Sequence, residues 1–213
     1  MTIRKVFLTG LFVAVCWTQP AQAEDSEVAE LIARLRHSGA TEFRYQETRH
    51  LELLSAPWKG WGYMLSSADG SLVKLQISPQ RVIMAISGGQ MLYFDPQQKQ
   101  RQAISIGYAG ESQRQIQIFR SMFQGHLDEL KASYALAVVR QDSRRTLRLS
   151  PMPEKKEEGL PSVDISFDQQ EQKRQILIKE VDGESTEYQL EKTLEGSSVE
   201  LSIQRLLQEA AGD

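Results

Sequence analysis

The sequence predicts a mainly β protein, in which an antiparallel meander of strands is preceded by one helix and interrupted by another. Short apolar segments of strand length are separated by turn signals such as Asp69-Gly70, Gly88-Gly89 and Asp182-Gly183. Two longer segments instead carry apolar residues at helical spacing. Strands that are joined by tight turns pair antiparallel, so the successive hairpins indicate a meander.

The helices are predicted from apolar periodicity. In residues 26–37, apolar side chains recur at i, i+3, i+4 and i+7 and form one stripe. In residues 113–130 the stripe is broad for a surface helix, so this helix is expected to pack against apolar groups along much of its girth. A short terminal helix is expected over residues 200–211.

The strands are predicted from apolar segments bounded by turn residues. Residues 151–161 contain five consecutive charged residues and are expected to form a solvated loop. The predicted strands cover residues 42–54, 60–67, 71–78, 81–87, 90–95, 134–140, 144–150, 162–167, 174–181 and 185–192.

The N-terminus has the pattern of a secretory signal peptide. Arg4-Lys5 is followed by an apolar segment over residues 6–16, which is shorter than the roughly 20 residues of a spanning helix. Ala21-Gln22-Ala23 then forms a small-x-small cleavage site. We therefore expect cleavage after Ala23, a signal peptide over residues 1–23, and a periplasmic protein with one domain over residues 24–213.

The rest of the chain offers little for catalysis. Cys16 is the only cysteine and lies within the predicted signal, so the mature chain has no thiol. His37, His50 and His126 are not at metal-ligand spacing, and neither a G-x-S-x-G elbow nor a phosphate-binding glycine loop occurs. Loss of residues 1–23 lowers the formal net charge from −3 to −5, which does not suit nucleic-acid binding. We predict a protein that is not an enzyme, needs no cofactor or metal and binds no nucleic acid.

The most unusual feature is an excess of apolar side chains on neighbouring strands. Residues 73–77, 81–86 and 91–94 include segments that are apolar on both faces, and a strand that is buried on both faces must be covered on both. Two explanations remain open. The strands form a plain core between sheet and helices, or a curved sheet holds an apolar ligand on its concave side, which methionine and aromatic side chains suit.

Several segments together resemble the outer-membrane lipoprotein carrier protein (LolA) family, in its divergent LolA-like branch. Phe43-Arg44-Tyr45-Gln46-Glu47 is similar to the family's F-x-Q opening strand, and Gly60-Trp61-Gly62-Tyr63-Met64 to its S-x-G-x-L strand. Ile77-Ser78-Pro79 stands where the family has a W-x-x-x-x-P segment. The stretch from Val82 to Pro96 resembles a D-G-k-x-l-w-x-Y-d-P segment, and Leu147-Arg148-Leu149-Ser150-Pro151 resembles the L-x-P strand.

The resemblance implies an incomplete antiparallel β-barrel, a strongly curved sheet with helices covering its concave face. It implies a monomeric periplasmic carrier that takes an acylated lipid or lipoprotein cargo from an inner-membrane exporter to an outer-membrane acceptor. Where the family has a tryptophan and an arginine, of which the arginine is thought to latch the lid helices, this chain reads Ser66 to Leu75 and shows neither. The identity of the cargo, lipoprotein or another lipid, therefore stays open.

The family's cargo cavity implies a lining drawn from the apolar strands and the second helix, which is expected to move as a lid. Which strand face points inward is left open, because a one-residue slip exchanges the two faces. We expect apolar contact alone to hold the cargo, without an ionic anchor. Two other functions remain as alternatives, a periplasmic lipid-binding sensor that does not transport, and a structural protein whose apolar strands are only core. The expected cargo-binding residues are Tyr45, Trp61, Tyr63, Leu75, Met84, Met91, Tyr93, Phe119, Met122 and Phe123.

Overall fold

The computed structural model describes residues 21–35, 39–108, 131–141, 144–168 and 173–212. In these residues, eleven strands form one antiparallel sheet. Helix α1 (Ala21–Leu35) precedes the sheet and helix α2 (Ser197–Ala211) follows it. The remaining helical turns are two short 3-10 helices, Ile106–Tyr108 and Pro153–Glu158.

The sheet consists of two meanders that meet at β1 and β11. The first meander runs from β1 to β6 and the second from β7 to β11, and the spatial order is β6-β5-β4-β3-β2-β1-β11-β10-β9-β8-β7. Strands β6 and β7 are its edges, so the sheet is not closed, and the prediction of a mainly β fold is confirmed. The strands are β1 (Thr41–His50), β2 (Trp58–Ser66), β3 (Leu72–Ser78), β4 (Val82–Ser87), β5 (Gln90–Asp95), β6 (Gln100–Ser105), β7 (Tyr134–Gln141), β8 (Arg144–Pro151), β9 (Ser162–Phe167), β10 (Lys173–Lys179) and β11 (Ser185–Glu195).

Most of the predicted elements lie where the sequence places them. Strand β1 ends at His50, four residues earlier than expected. Strand β6 was not predicted, because its mostly polar side chains pair with β5 on one side only and are largely exposed. The terminal helix α2 is confirmed and begins three residues earlier than expected, while α1 begins at Ala21. The helix predicted over residues 113–130 lies outside the described residues.

The register defines two faces of the sheet, because cross-strand partners point to the same side. We call face A the side that carries Phe43, Tyr45 and Glu47 of β1, and face B the side that carries Arg44 and Gln46. Helix α1 packs on face A, against β1 and strands β7 to β11, and forms one buried cluster there. Helix α2 packs on face B, against strands β2 to β6, and forms a second cluster. The two described helices therefore lie on opposite faces of the sheet.

Two arginines fasten the end of α2 to the first meander. Arg81 of the β3–β4 turn pairs with both carboxylate oxygens of Glu209, at 2.6 and 2.8 Å. Arg101 of β6 donates to the main-chain carbonyls of Glu209 and Ala210, both at 3.1 Å. Carbonyls in the last turn of a helix lack partners within the helix, so these bonds satisfy groups that would otherwise face solvent.

Glycines on β2 keep face A open between β1 and β3. Gly60 lies opposite Glu47, and Gly62 lies opposite Tyr45. A Cβ at Gly62 would stand 2.0 Å from the carbonyl oxygen of Leu75, which no side chain tolerates. The G-x-G pattern thus has a packing cause, and it leaves side chains of β1 and β3 free to meet across β2.

Candidate functional site

An apolar surface lies on face A of strands β3 to β6. Its members are half-buried in the structure and belong to neither of the two core clusters that the described residues form. Cross-strand pairing arranges them in two neighbouring rows. The first row is wholly apolar and consists of Leu72, Ile86, Met91 and Ile104. The second row consists of Met84 and Tyr93, with the polar residues Lys74 and Gln102 at its two ends. The members of this apolar surface are Leu72, Met84, Ile86, Met91, Tyr93 and Ile104.

The composition of the apolar surface suits a long, flexible apolar ligand. Two methionines supply unbranched, polarizable side chains that adapt to irregular shapes. The aliphatic members supply area, and Tyr93 adds an aromatic body with one polar atom. Removal of an acyl chain from water contributes about 0.8 kcal/mol of binding free energy per CH₂ group. Burial of several CH₂ groups on the apolar surface would therefore hold an acyl chain without ionic contacts.

A buried ionic cluster adjoins the apolar surface. Glu47 is 1 % exposed, and its two carboxylate oxygens accept from Arg49 Nε at 2.6 Å and Lys74 Nζ at 2.6 Å. The hydroxyl of Tyr188 donates to the same carboxylate at 2.9 Å. Lys74 Nζ also lies 5.2 Å from the ring centroid of Tyr45 and 5.1 Å from that of Tyr188. We call Glu47, Arg49, Lys74 and Tyr188 the ionic cluster.

The ionic cluster holds Glu47 in its charged form. Burial alone would raise the pKa of Glu47, but the attraction of Lys74 and Arg49 outweighs burial and holds that pKa below its usual value. Burial lowers the pKa of Lys74, against the attraction of Glu47. Burial also raises the pKa of Tyr188, so its hydroxyl stays protonated and acts as a donor. Both cations of the cluster are thus bonded to the one carboxylate of Glu47, and the formal net charge of the cluster is +1.

Arg174 is a second buried cation on face A. Its guanidinium lies 5.1 Å from the ring centroid of Phe43 and 5.9 Å from that of Phe167. Nη2 donates to the carbonyl of Arg34 in the last turn of α1 at 3.1 Å, and Nε has no partner among the described residues. Burial lowers the pKa of Arg174 to about 10. Arg174 thus fastens the C-terminal end of α1 to the sheet.

The structure separates the predicted lining residues into two groups. Tyr45 lies on face A in the α1 cluster, and Met84, Met91 and Tyr93 lie on face A in the apolar surface. The others on strands lie on face B, so they do not share one lining with the first four. The face B residues are Trp61, Tyr63 and Leu75, of which Tyr63 and Leu75 pack against the α2 cluster. Phe119, Met122 and Phe123 lie outside the described residues.

The sequence reasoning missed the charged groups and part of the apolar surface. The expected cargo-binding residues included none of Glu47, Lys74 and Arg174, because the cavity was expected to be lined by apolar side chains alone. The alternation of side chains along β1 could have indicated the ionic cluster, because it places Glu47 on the same face as the apolar Phe43 and Tyr45.

A polar cavity of about 420 Å³ lies on face B of the second meander and β1. Arg44, Gln46, Gln175, Gln189 and Glu191 are among the residues that line it. Its lining is mainly amide and charged groups, which do not suit an acyl chain. The apolar surface on face A is therefore the better candidate site for an apolar ligand.

Residues that could hold a metal ion do not occur as a group in the part of the chain that the structure describes. Within the same residues, no helix combines the length and the apolar composition needed to cross a membrane.

Comparison with known proteins assigns the family. No curated protein matches the chain in sequence. Among solved structures, the chain is similar to a LolA superfamily protein from Nitrosomonas europaea, with 10 % identity over 82 % of this chain and 94 % of that one and a TM-score of 0.44. It is similar to the Pseudomonas aeruginosa MucA/MucB complex structure, with 13 % identity over 82 % of this chain and 60 % of that one and a TM-score of 0.43. A DUF1329 family protein from Desulfovibrio piger matches with 12 % identity over 81 % of this chain and 92 % of that one and a TM-score of 0.43.

The model of the family "Outer membrane lipoprotein carrier protein LolA" matches residues 70–202, more than half of the chain, and the chain therefore belongs to the LolA family.

Proposed function

We propose that the protein is a periplasmic carrier that binds an acylated lipid or lipoprotein on face A and moves it from the inner to the outer membrane. The observation that supports this most is the apolar surface of β3 to β6, six half-buried side chains that belong to neither core cluster. Membership of the LolA family agrees with this function. The N-terminal sequence pattern supports the compartment.

The two halves of face A have different roles, since one packs against α1 and the other carries the apolar surface. The half that faces α1 is filled by the α1 cluster and by Arg174, which ties the helix to the sheet. The half formed by β3 to β6 offers the apolar surface, with the ionic cluster between the two halves. Because the ionic cluster is internally paired, the cargo is held by apolar contact and is exchanged without breaking a salt bridge.

A matched pair of substitutions tests the site. Met84 and Leu75 are both half-buried and stand on neighbouring strands, but Met84 belongs to the apolar surface on face A and Leu75 packs on the α2 cluster on face B. We expect Met84→Ala to weaken the binding of a fluorescent fatty acid by about tenfold, since it removes about 1–2 kcal/mol of apolar contact. Leu75→Ala should lower the free energy of unfolding and leave the fatty-acid affinity within about twofold.

The same assay shows how the cargo is held. Affinity that depends on apolar contact should change little between low and high ionic strength, because salt screens charges and does not weaken apolar burial. An equal loss of affinity in Met84→Ala and Leu75→Ala, or a steep loss with salt, would contradict the proposed site. Transfer of bound lipid between inner- and outer-membrane vesicles would then distinguish a carrier from a sensor that binds lipid but does not transport it.

A further inference from the structure

Two neighbouring turns at one end of the sheet display apolar side chains to solvent. Leu53 is 94 % exposed and Leu54 48 % exposed in the β1–β2 connection, and Val181 is 71 % exposed in the β10–β11 turn. The turns emerge side by side, because His50 and Lys179 both pair with Ser185 at the start of β11. We call Leu53, Leu54 and Val181 the apolar tip.

Hydrogen bonds within and between the two turns fix the position of the apolar tip. The amide of Leu54 donates to the carbonyl of Leu51 at 3.0 Å, which closes a tight turn with Leu53 at its outer side. The amide of Glu52 donates to the carboxylate of Glu184 at 3.3 Å and so joins the first turn to the second. The apolar side chains are thus presented together, and no residue of the described chain covers Leu53.

The surroundings of the apolar tip match a bilayer interface. Trp58 begins β2 directly behind the first turn, with the guanidinium of Arg49 4.9 Å from its ring centroid. The exposed Lys59 and Lys179 flank the same end of the sheet. Aromatic and long basic side chains of this kind favour the headgroup level of a membrane, where the ring is half-buried and the charge stays in water.

The small size of the apolar tip also favours a bilayer over a protein partner. The tip consists of three side chains on two turns, whereas a stable protein interface buries about 800 Å² on each partner. The acidic side chains of the two turns offset the nearby cations, so attraction to anionic lipid is not the main force. These acidic residues are Glu52, Glu180, Asp182 and Glu184.

We propose that the apolar tip inserts into the surface of a lipid bilayer and docks the protein there. Insertion would bring the adjacent end of face A, where Arg49 and Glu47 lie, next to the headgroups. The biological reason for docking rests on the proposed carrier function, whereas the docking itself rests on the exposed side chains. The force is apolar insertion, as for amphipathic segments that lie in a membrane interface.

Flotation with vesicles of phosphatidylethanolamine and phosphatidylglycerol tests the docking on the full chain. We expect the double variant Leu53→Ser/Val181→Ser to lower the partition coefficient at least about tenfold, because two large apolar side chains no longer leave water. The matched control is Leu194→Ser/Leu201→Ser, whose leucines are each 54 % exposed but lie at the far end of β11 and on α2. The control should stay within about twofold of the wild type. On vesicles of phosphatidylcholine, the wild type should bind about as well as on the anionic vesicles.

Amide hydrogen exchange of the wild type gives a second measurement that needs no variant. Exchange at residues 51–54 and 181–183 should slow when vesicles are added, while exchange at residues 194–201 should not. Equal vesicle binding by the tip variant and the wild type, no binding by the wild type, or an equal loss in the control would overturn the docking proposal. Fatty-acid affinity, measured on the same samples, reports on the proposed carrier function separately, since the tip substitutions leave face A intact.

Discussion

Replacing Ile203 by aspartate is expected to destabilise the protein by about 4 kcal/mol or more, which is a large part of the roughly 5–15 kcal/mol that stabilises an ordinary domain. Ile203 is 1 % exposed at the centre of α2, within the cluster that joins the helix to face B. An aspartate there would place an unpaired carboxylate among apolar side chains, or force α2 off the sheet. Urea denaturation followed by circular dichroism measures the loss.

A neighbouring position provides the control for this substitution. Leu201 lies two residues away on the same helix and is 54 % exposed. Leu201→Asp should change the free energy of unfolding by no more than about 0.5 kcal/mol, as is usual for exposed positions. Comparable stability of Ile203→Asp and Leu201→Asp would show that α2 does not pack on face B as described. Detachment of α2 should also expose apolar side chains such as Val73 and Ile83, so the Ile203→Asp protein is expected to self-associate.

Replacing Lys74 by methionine is expected to cost about 2–3 kcal/mol at neutral pH. The substitution leaves the buried carboxylate of Glu47 with one of its two cations, since Arg49 remains at 2.6 Å. The double variant Glu47→Gln/Lys74→Met should recover much of the loss, because the buried group that lost a partner no longer carries a charge. Lys59→Met, at an exposed position on β2, is the control and should be nearly neutral.

The dependence on pH gives this prediction a specific signature. The pKa of Glu47 is lowered in the folded protein, so its stabilising contribution is complete above the usual carboxyl value of 4.5 and is lost as the pH falls through the folded pKa. Loss of Lys74 raises the pKa of Glu47, so the variant's deficit should shrink as the pH falls through the lowered pKa of Glu47 in the wild type, below which the carboxyl is protonated in both proteins. A deficit that does not change on acidification would mean that Lys74 acts through packing and not through Glu47.

The strands and hairpins were predictable from the sequence where turn residues and the pattern of apolar side chains agree with the final packing. Turn residues mark the hairpins, and Gly88 and Gly89 both adopt positive φ angles, as a tight two-residue turn requires. Strand β6 was not predicted from the sequence, because an edge strand that is largely exposed needs few apolar side chains. Its sequence therefore shows no alternation of apolar and polar residues. The end of β1 was placed too late because Leu53 and Leu54 read as strand residues, whereas the structure exposes them in a turn.

The candidate site was only partly predictable, because the face of each strand depends on long-range pairing. Trp61, Tyr63 and Leu75 looked equivalent to Met84 and Met91 in sequence, and the register alone separates them. A slip of one residue in β2 would have exchanged the two groups. The ionic cluster was not predicted, because Glu47 and Lys74 are 27 residues apart in the sequence and meet only across the glycines of β2.

The central claim is that face A holds an acylated molecule, and native mass spectrometry of protein purified from its own host tests it most directly. We expect a fraction of the protein to carry an added mass that is released on denaturation and that fragments as a lipid with acyl chains. Met91→Glu, which places a charge in the apolar surface, should remove this added mass while the protein stays folded, because an acyl chain does not pack on an unpaired carboxylate. If the wild-type protein from its host shows only the mass of the polypeptide, or if Met91→Glu retains the same lipid, face A is not the cargo site.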